Sequence, residues 1–180
     1  MSKKILKALL ILTALLLAVG LFLPRDFEAS REIVIAAPPA AIHHEVGDLT
    51  RWKDWTPWRL DGDSVRITIS RPSSGPGASL SWTDQGGSGK LTILRSSPQQ
   101  GLDYELRLGD HADQARAGIH YQPAGDATRV TWRMRGRIDL PVLGGYLAIL
   151  AGKSVGAAFE SGLRKLKQVV ETQSSGQPSG

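Results

Sequence analysis

The sequence contains no cysteine. That excludes disulfides, thiolate-held metals and cysteine nucleophiles, and leaves no mark of the redox compartment. Histidine is scarce, with four residues, and none of them has metal-site spacing. His43 and His44 are adjacent and would diverge by roughly 100° on a helix. His111 and His120 lie nine residues apart, not four. We therefore expect no metal and no cofactor. No Gly-x-Ser-x-Gly elbow occurs. Gly86-Gly87-Ser88-Gly89-Lys90 falls short of a phosphate loop, because Asp84 stands at the leading glycine, Leu91 at the final Ser/Thr, and a strand pattern follows. Excess charge is small as well. Lys+Arg is 22 and Asp+Glu 17, and Lys3, Lys4 and Lys7 account for three of the cations. The body is nearly balanced, so no nucleic-acid partner is expected. The 180 residues, 41% hydrophobic and 22% charged, suit one ordinary globular domain.

What the chain does have is a long apolar run. Ala8 to Leu23 carries no charge, and the stretch from Ile5 spans 19 residues. As a helix it reaches roughly 28 Å, close to the hydrocarbon thickness of a bilayer. Lys3, Lys4 and Lys7 precede it, while Arg25 and Asp26 follow. The positive-inside rule then predicts a single-pass inner-membrane protein, anchored through residues 5–23, with a cytoplasmic N-terminus and an extracytoplasmic body. The alternative is a cleaved signal peptide with a site at Ala18-Val19-Gly20. Against it, Leu21-Phe22-Leu23 continues the apolar run. Residues 1–26 are thus expected to be anchor and flank.

The body alternates with period 2. Ser30–Ala36 forms a first strand, and Pro38-Pro39 opens a short helix to Val46. A second short helix follows from Leu49 to about Trp55. Six alternating segments come next, marked by Ile67 and Ile69; Leu80 and Trp82; Leu91 and Ile93; Leu102, Tyr104 and Leu106; Ala115, Ile119 and Tyr121; and Val130, Trp132 and Met134. Each has one apolar and one polar face, the mark of an antiparallel sheet covered on one side. After Pro141 the period becomes helical, with Val155, Phe159, Leu163, Leu166 and Val170 on one stripe. The expected architecture is α+β: a curved antiparallel sheet of about seven strands wrapped on a long C-terminal helix, with two short helices after the first strand. It occupies residues 27–172, and polar residues 173–180 read as a disordered tail.

Four stretches carry a resemblance: Ile33–Ile42, Asp48–Trp58, Thr128–Gly136 and Val155–Lys167. Together they resemble the START-like, helix-grip superfamily, SRPBCC, and within it membrane-anchored bacterial proteins of the polyketide cyclase/dehydrase and lipid-transport family. The resemblance implies a helix-grip fold with an interior cavity for apolar ligands. It implies no particular reaction.

Inward parity nominates Trp82, Tyr104, Tyr121, Trp132 and Met134, with Phe159 from the helix, as residues that contact a ligand; a packed core accounts for them equally. Trp52, Trp55 and Trp58 recur every three residues and serve either as a rim to the cavity or as a seal between helix and sheet. Glu160, beside Phe159, is the one weak candidate for a catalytic acid; its alternatives are an arginine partner or solvent. Arg129, Arg133, Arg135 and Arg137 form an outward basic stripe, which is either a solvated sheet face or a contact for anionic lipid. The expected function is a membrane-tethered binding domain for a small apolar or lipid-like ligand, rather than an enzyme. A polyketide cyclase/dehydrase-like enzyme and a ligand-free envelope interaction module remain as alternatives. No protein partner is nameable.

Overall fold

The computed structural model describes residues 3–58, 65–85, 87–109 and 114–175. Gly86, His111 and the last five residues of the expected tail lie outside the described residues. The first helix, α1 (Lys3–Phe22), is long and apolar enough to cross a membrane, and Gly20 is its one buried residue. Strand β1 (Asp26–Ile35) leads into α2 (Pro39–Val46), with Pro39 in the first helical turn where a missing N–H costs nothing. A 3-10 turn, Leu49–Arg51, follows, its first turn capped by the Asp48 carboxylate, which accepts from the Thr50 N–H at 2.9 Å. It runs into the short α3 (Trp52–Trp55).

Six strands complete the sheet: β2 (Arg66–Ile69), β3 (Ser79–Asp84), β4 (Gly87–Ser97), β5 (Gly101–Leu108), β6 (Gln114–Ala124) and β7 (Ala127–Arg137). They form one antiparallel sheet in the order β1-β7-β6-β5-β4-β3-β2. Consecutive strands are hairpins, and β1 closes the far edge against β7, from Asp26 opposite Arg137 to Ile35 opposite Thr128. The β6–β7 turn is the two residues Gly125-Asp126, and Gly125 takes the positive φ of 66° that a tight hairpin needs. The long α4 (Gly144–Ser175) lies across the sheet and packs chiefly on β1.

The expected helix-grip architecture is present, with differences at element ends. Strand β1 starts four residues before Ser30, because Asp26 to Ala29 pair with the arginine-rich end of β7. Strand β4 runs past Ile93 to Ser97; a bulge between Ile93 and Arg95 breaks its period-2 pattern and turns Leu94 outward. Helix α4 continues to Ser175, three residues beyond Thr172.

The core gathers where sheet and helix face each other. Phe159, Leu163, Leu166 and Val170 of α4 are almost fully buried against Ile35, Val130 and Trp132. Phe159 and Trp132 stack with ring centroids 4.1 Å apart and planes 9° from parallel. Phe159→Ala is expected to cost about 3–5 kcal/mol in chemical denaturation. Lys165→Ala, at an exposed position of the same helix, should stay within about 0.5 kcal/mol. Equal, small losses at both would mean that α4 does not close the sheet.

Candidate functional site

The interior is divided. One end is packed solid by rings. Trp132 lies between Phe159 on one side and Trp55 and Trp58 on others, with centroid separations of 4.1, 5.3 and 5.5 Å. Trp52 packs on Trp55 at 5.3 Å and meets Tyr104 edge-on at 5.6 Å. The Trp52 indole N–H donates to the Val46 carbonyl at 2.8 Å, and that of Trp55 to the Glu45 carbonyl at 3.2 Å. These two carbonyls end α2 and have no helical partner of their own, so the indoles lock α3 onto α2.

The other end is open. A cavity of about 500 Å³ lies between the sheet and the first half of α4. Leu80 and Trp82 of β3, Leu91 of β4, and Tyr104 and Leu106 of β5 line its sheet side. Ala115 and Met134 continue that wall onto β6 and β7, while Ala151 and Val155 face it from α4. Phe27, Trp58, Val65, Leu108 and Ile138 complete the apolar lining. The polar contribution is small: the Tyr104 hydroxyl, Asp84 and Arg137 are the titratable groups among the described lining residues.

Two aromatic residues shape the cavity by lying across cross-strand glycines. Trp82 pairs with Gly89, and Phe27 with Gly136. A Cβ on Gly89 would sit 2.1 Å from the Trp82 ring, and one on Gly136 2.6 Å from the Phe27 ring. Only glycine lets either ring fold down onto the sheet and leave the space above it empty.

Tyr104 is the polar feature inside. Its hydroxyl oxygen accepts the Trp132 indole N–H at 3.0 Å. Burial raises its pKa far above the ordinary phenol value, outweighing the smaller downward effect of that hydrogen bond. The group is thus a neutral phenol that already accepts one hydrogen bond and still has its O–H to donate.

Residues 26–171 match the family described as polyketide cyclase/dehydrase and lipid transport. The chain belongs to that family. Solved structures agree on the SRPBCC-type fold. The domain resembles the Thermus thermophilus protein TTHA0849 with a TM-score of 0.58 and 20% identity, over 82% of this chain and 99% of that one. It resembles Thalictrum flavum norcoclaurine synthase, solved with dopamine and hydroxybenzaldehyde, with a TM-score of 0.61 and 16% identity, over 82% and 87%. A third likeness is to the Chromobacterium violaceum protein CV1439, with a TM-score of 0.54 and 17% identity, over 81% and 98%. At these identities the likeness establishes the fold alone. No curated protein sequence matches the chain.

Within this family fold the nominated residues fall into two groups. Trp82, Tyr104 and Met134 line the cavity, as do Trp52 and Trp58 of the tryptophan series. Tyr121, Trp132, Phe159 and Trp55 do not; they belong to the packed end, where large rings fill the space between sheet and helices. Glu160 does not face the interior. Its side chain is half exposed and pairs with Arg164 one turn on, because the position next to Phe159 rotates out of the buried stripe.

The polar groups of α2, which lack metal-site spacing, are held by partners of their own. Glu45 is 1% exposed, and its carboxylate accepts from Arg51 at 3.1 Å and from His44 at 3.0 Å. The His43 ring bridges two hydroxyls, Tyr121 at 3.2 Å and Ser96 at 3.0 Å, beneath the sheet. The helical period places Ile42, Glu45 and Val46 on one face, which is the signal that marks Glu45 as inward.

Burial lowers the His43 pKa below the ordinary imidazole value. The unfolded chain therefore takes up its proton at a higher pH than the folded one. Above the ordinary value His43 makes no pH-dependent contribution. As pH falls through it the fold loses stability, and the loss levels off once the folded imidazole also protonates. Thermal melts between about pH 8 and about pH 5 should show a fall in Tm that is smaller in His43→Gln. Equal slopes in the two proteins would remove His43 as the cause.

Proposed function

We propose that this chain is a membrane-tethered binding domain that holds one small apolar or lipid-like molecule in the cavity beneath its sheet. The observation that carries this reading is the cavity itself. About 500 Å³ of apolar-lined space is not filled by side chains, beside a core that is otherwise packed with rings. Space of that size lies within the usual range for a small-molecule site. An unfilled apolar cavity costs stability, so a fold that could close it with larger side chains gains from keeping it open only if something enters. The small wall residues Ala115 and Ala151 are where such filling would occur. The family's lipid-transport members are consistent with this ligand class. Inside, Tyr104 is placed to donate one hydrogen bond, so the ligand we infer has an apolar body and a single buried acceptor. The tether is α1, retained as a single span with the N-terminus in the cytoplasm and the body outside it, on the strength of Lys3, Lys4 and Lys7 before the span.

Full-length protein purified in detergent and examined by native mass spectrometry is expected to carry a small apolar molecule. Val155→Trp, which fills the α4 side of the cavity, should remove it while the fold survives. Tyr104→Phe should lower affinity by about 0.5–1.5 kcal/mol, the usual net worth of one hydrogen bond. Glu160→Gln should leave binding unchanged. A wild-type protein that carries no ligand and takes up no pyrene-labelled acyl probe would sink the binding reading. A reporter fused after Gly180 should be active only outside the cytoplasm, and cytoplasmic activity would reverse the orientation.

A further inference from the structure

Between Asp139 and Lys153 the chain has 13 residues without a charge, Leu140 to Gly152. They form the approach to α4 and its first two turns. Five large apolar side chains here are exposed: Leu140 at 47%, Leu143 at 58%, Leu147 at 38%, Ile149 at 51% and Leu150 at 60%. Such a cluster is uncommon on a soluble surface, where exposed apolar residues are usually scattered. Most of the other large apolar residues this exposed lie on α1.

The two regions touch. The Tyr146 hydroxyl donates to the Leu16 carbonyl of α1 at 2.9 Å. Gly20 of α1 lies against Val142 and Tyr146, and a Cβ there would come within 2.4 Å of the Val142 carbonyl oxygen. Gly145 answers from α4, where a Cβ would come within 2.2 Å of Leu23. Close backbone approach through glycine is how helices pack in a bilayer. Leu16 sits seven residues before the end of the apolar run at Leu23, so Tyr146 reaches about 10 Å below that end.

We propose that residues 140–150 lie in the bilayer leaflet nearest the C-terminal end of α1, and that a phospholipid bilayer is what covers their apolar face. This rests on the reading of α1 as a membrane span. Three observations select lipid as the occupant: the patch continues the lipid-facing surface of α1, it reaches a depth fixed by the Tyr146–Leu16 contact, and it ends at a cation. Lys153 is the first charge of α4 and stands one turn past Ile149, where an ammonium meets headgroup phosphates. The position also orients the cavity. Ala151 and Val155 line it from the turns directly after Leu147 and Leu150, and Ile138 lines it from the segment just before. The mouth is therefore held at the lipid surface, and an apolar molecule can pass between leaflet and cavity without crossing water.

The absence of native cysteine makes the test direct. The full-length chain is reconstituted into vesicles of phosphatidylethanolamine and phosphatidylglycerol, with a nitrobenzoxadiazole probe on one introduced cysteine. Leu147→Cys, Leu150→Cys and, as a second choice of patch position, Ile149→Cys report the patch. Leu10→Cys reports the span, and Lys165→Cys the far part of α4. Quenching is read with phospholipids brominated on the acyl chain. The patch positions and Leu10 are expected to lose most of their emission, and Lys165 none. Quenching at Leu10 with none at the patch positions overturns the inference and leaves the span standing. No quenching at either overturns both. Quenching at the patch without quenching at Leu10 overturns the span, and with it the leaflet and depth proposed for the patch. Patch emission that shifts to the blue only at raised protein-to-lipid ratio, unquenched by bromine, means that a second copy covers the face, and overturns the proposal.

Discussion

The ring of Trp132 is the point on which sheet, short helices and long helix meet. It stacks face to face on Phe159 of α4, takes Trp55 and Trp58 on its other sides, and donates its N–H to Tyr104 on the next strand but one. A stacked aromatic pair adds about 0.5–1.5 kcal/mol beyond the area it buries. The larger effect is geometric. Because one indole touches α3, α4 and β5 at once, it fixes how far α4 stands off the sheet. On the Leu163 and Leu166 side of that contact the helix comes close enough for side chains to interlock. On the Ala151 and Val155 side it carries small or partly buried residues, and the gap stays open. A curved sheet against a straight helix must leave space at one end, and Trp132 selects which.

That division explains why inward parity gave a mixed answer at the candidate site. Alternation along a strand says which face a side chain is on and nothing about how far along the groove it lies. Tyr104 and Met134 share a face with Trp132 and Tyr121, but the first two reach the cavity and the others lie in the packed end. Separating them takes the sheet register and the position of α4, neither of which a single strand encodes. Glu160 takes the alternative expected for it, an arginine partner at the surface. It neighbours Phe159 in sequence, and about 100° of rotation per residue carries it to solvent and to Arg164.

The fold itself was legible because each element carries its own period. The strands alternate, the α4 stripe recurs at three and four residues, and Pro39 and Gly125 punctuate where backbone geometry demands them. The misplaced boundaries have local causes. Leu94 interrupts β4 at a bulge, and the start of β1 is polar because its partners on β7 are arginines. The cavity was legible only as a consequence of the architecture. The pairs Trp82–Gly89 and Phe27–Gly136, which hold it open, become visible once the register sets each ring opposite its glycine. Glycine in a strand pattern reads locally as a weakness, and here two of them make room.

The basic stripe bears on where this domain would meet a membrane. Arg133 and Arg135 reach Glu28, and Arg137 reaches Asp26 and Asp139. Exposed pairs of this kind contribute little stability, about 0–1 kcal/mol each. They do neutralise most of the stripe, which weakens its pull on an anionic lipid surface. Electrostatic adhesion through the outer face of β7 would also turn the sheet, and not the cavity mouth, towards the bilayer. The uncharged stretch from Leu140 to Gly152 has neither defect. Burying apolar area there gains roughly 25 cal/mol per Å² without relying on lipid charge. On the proposed insertion, the attachment it would make together with α1 is a two-point one, which would restrict rotation of the body about the span. A single flexible tether would hold the domain near the membrane in any orientation. Two contacts, α1 and the patch, would keep the part of the cavity lined by Ala151 and Val155 facing the lipid from which an apolar ligand would come.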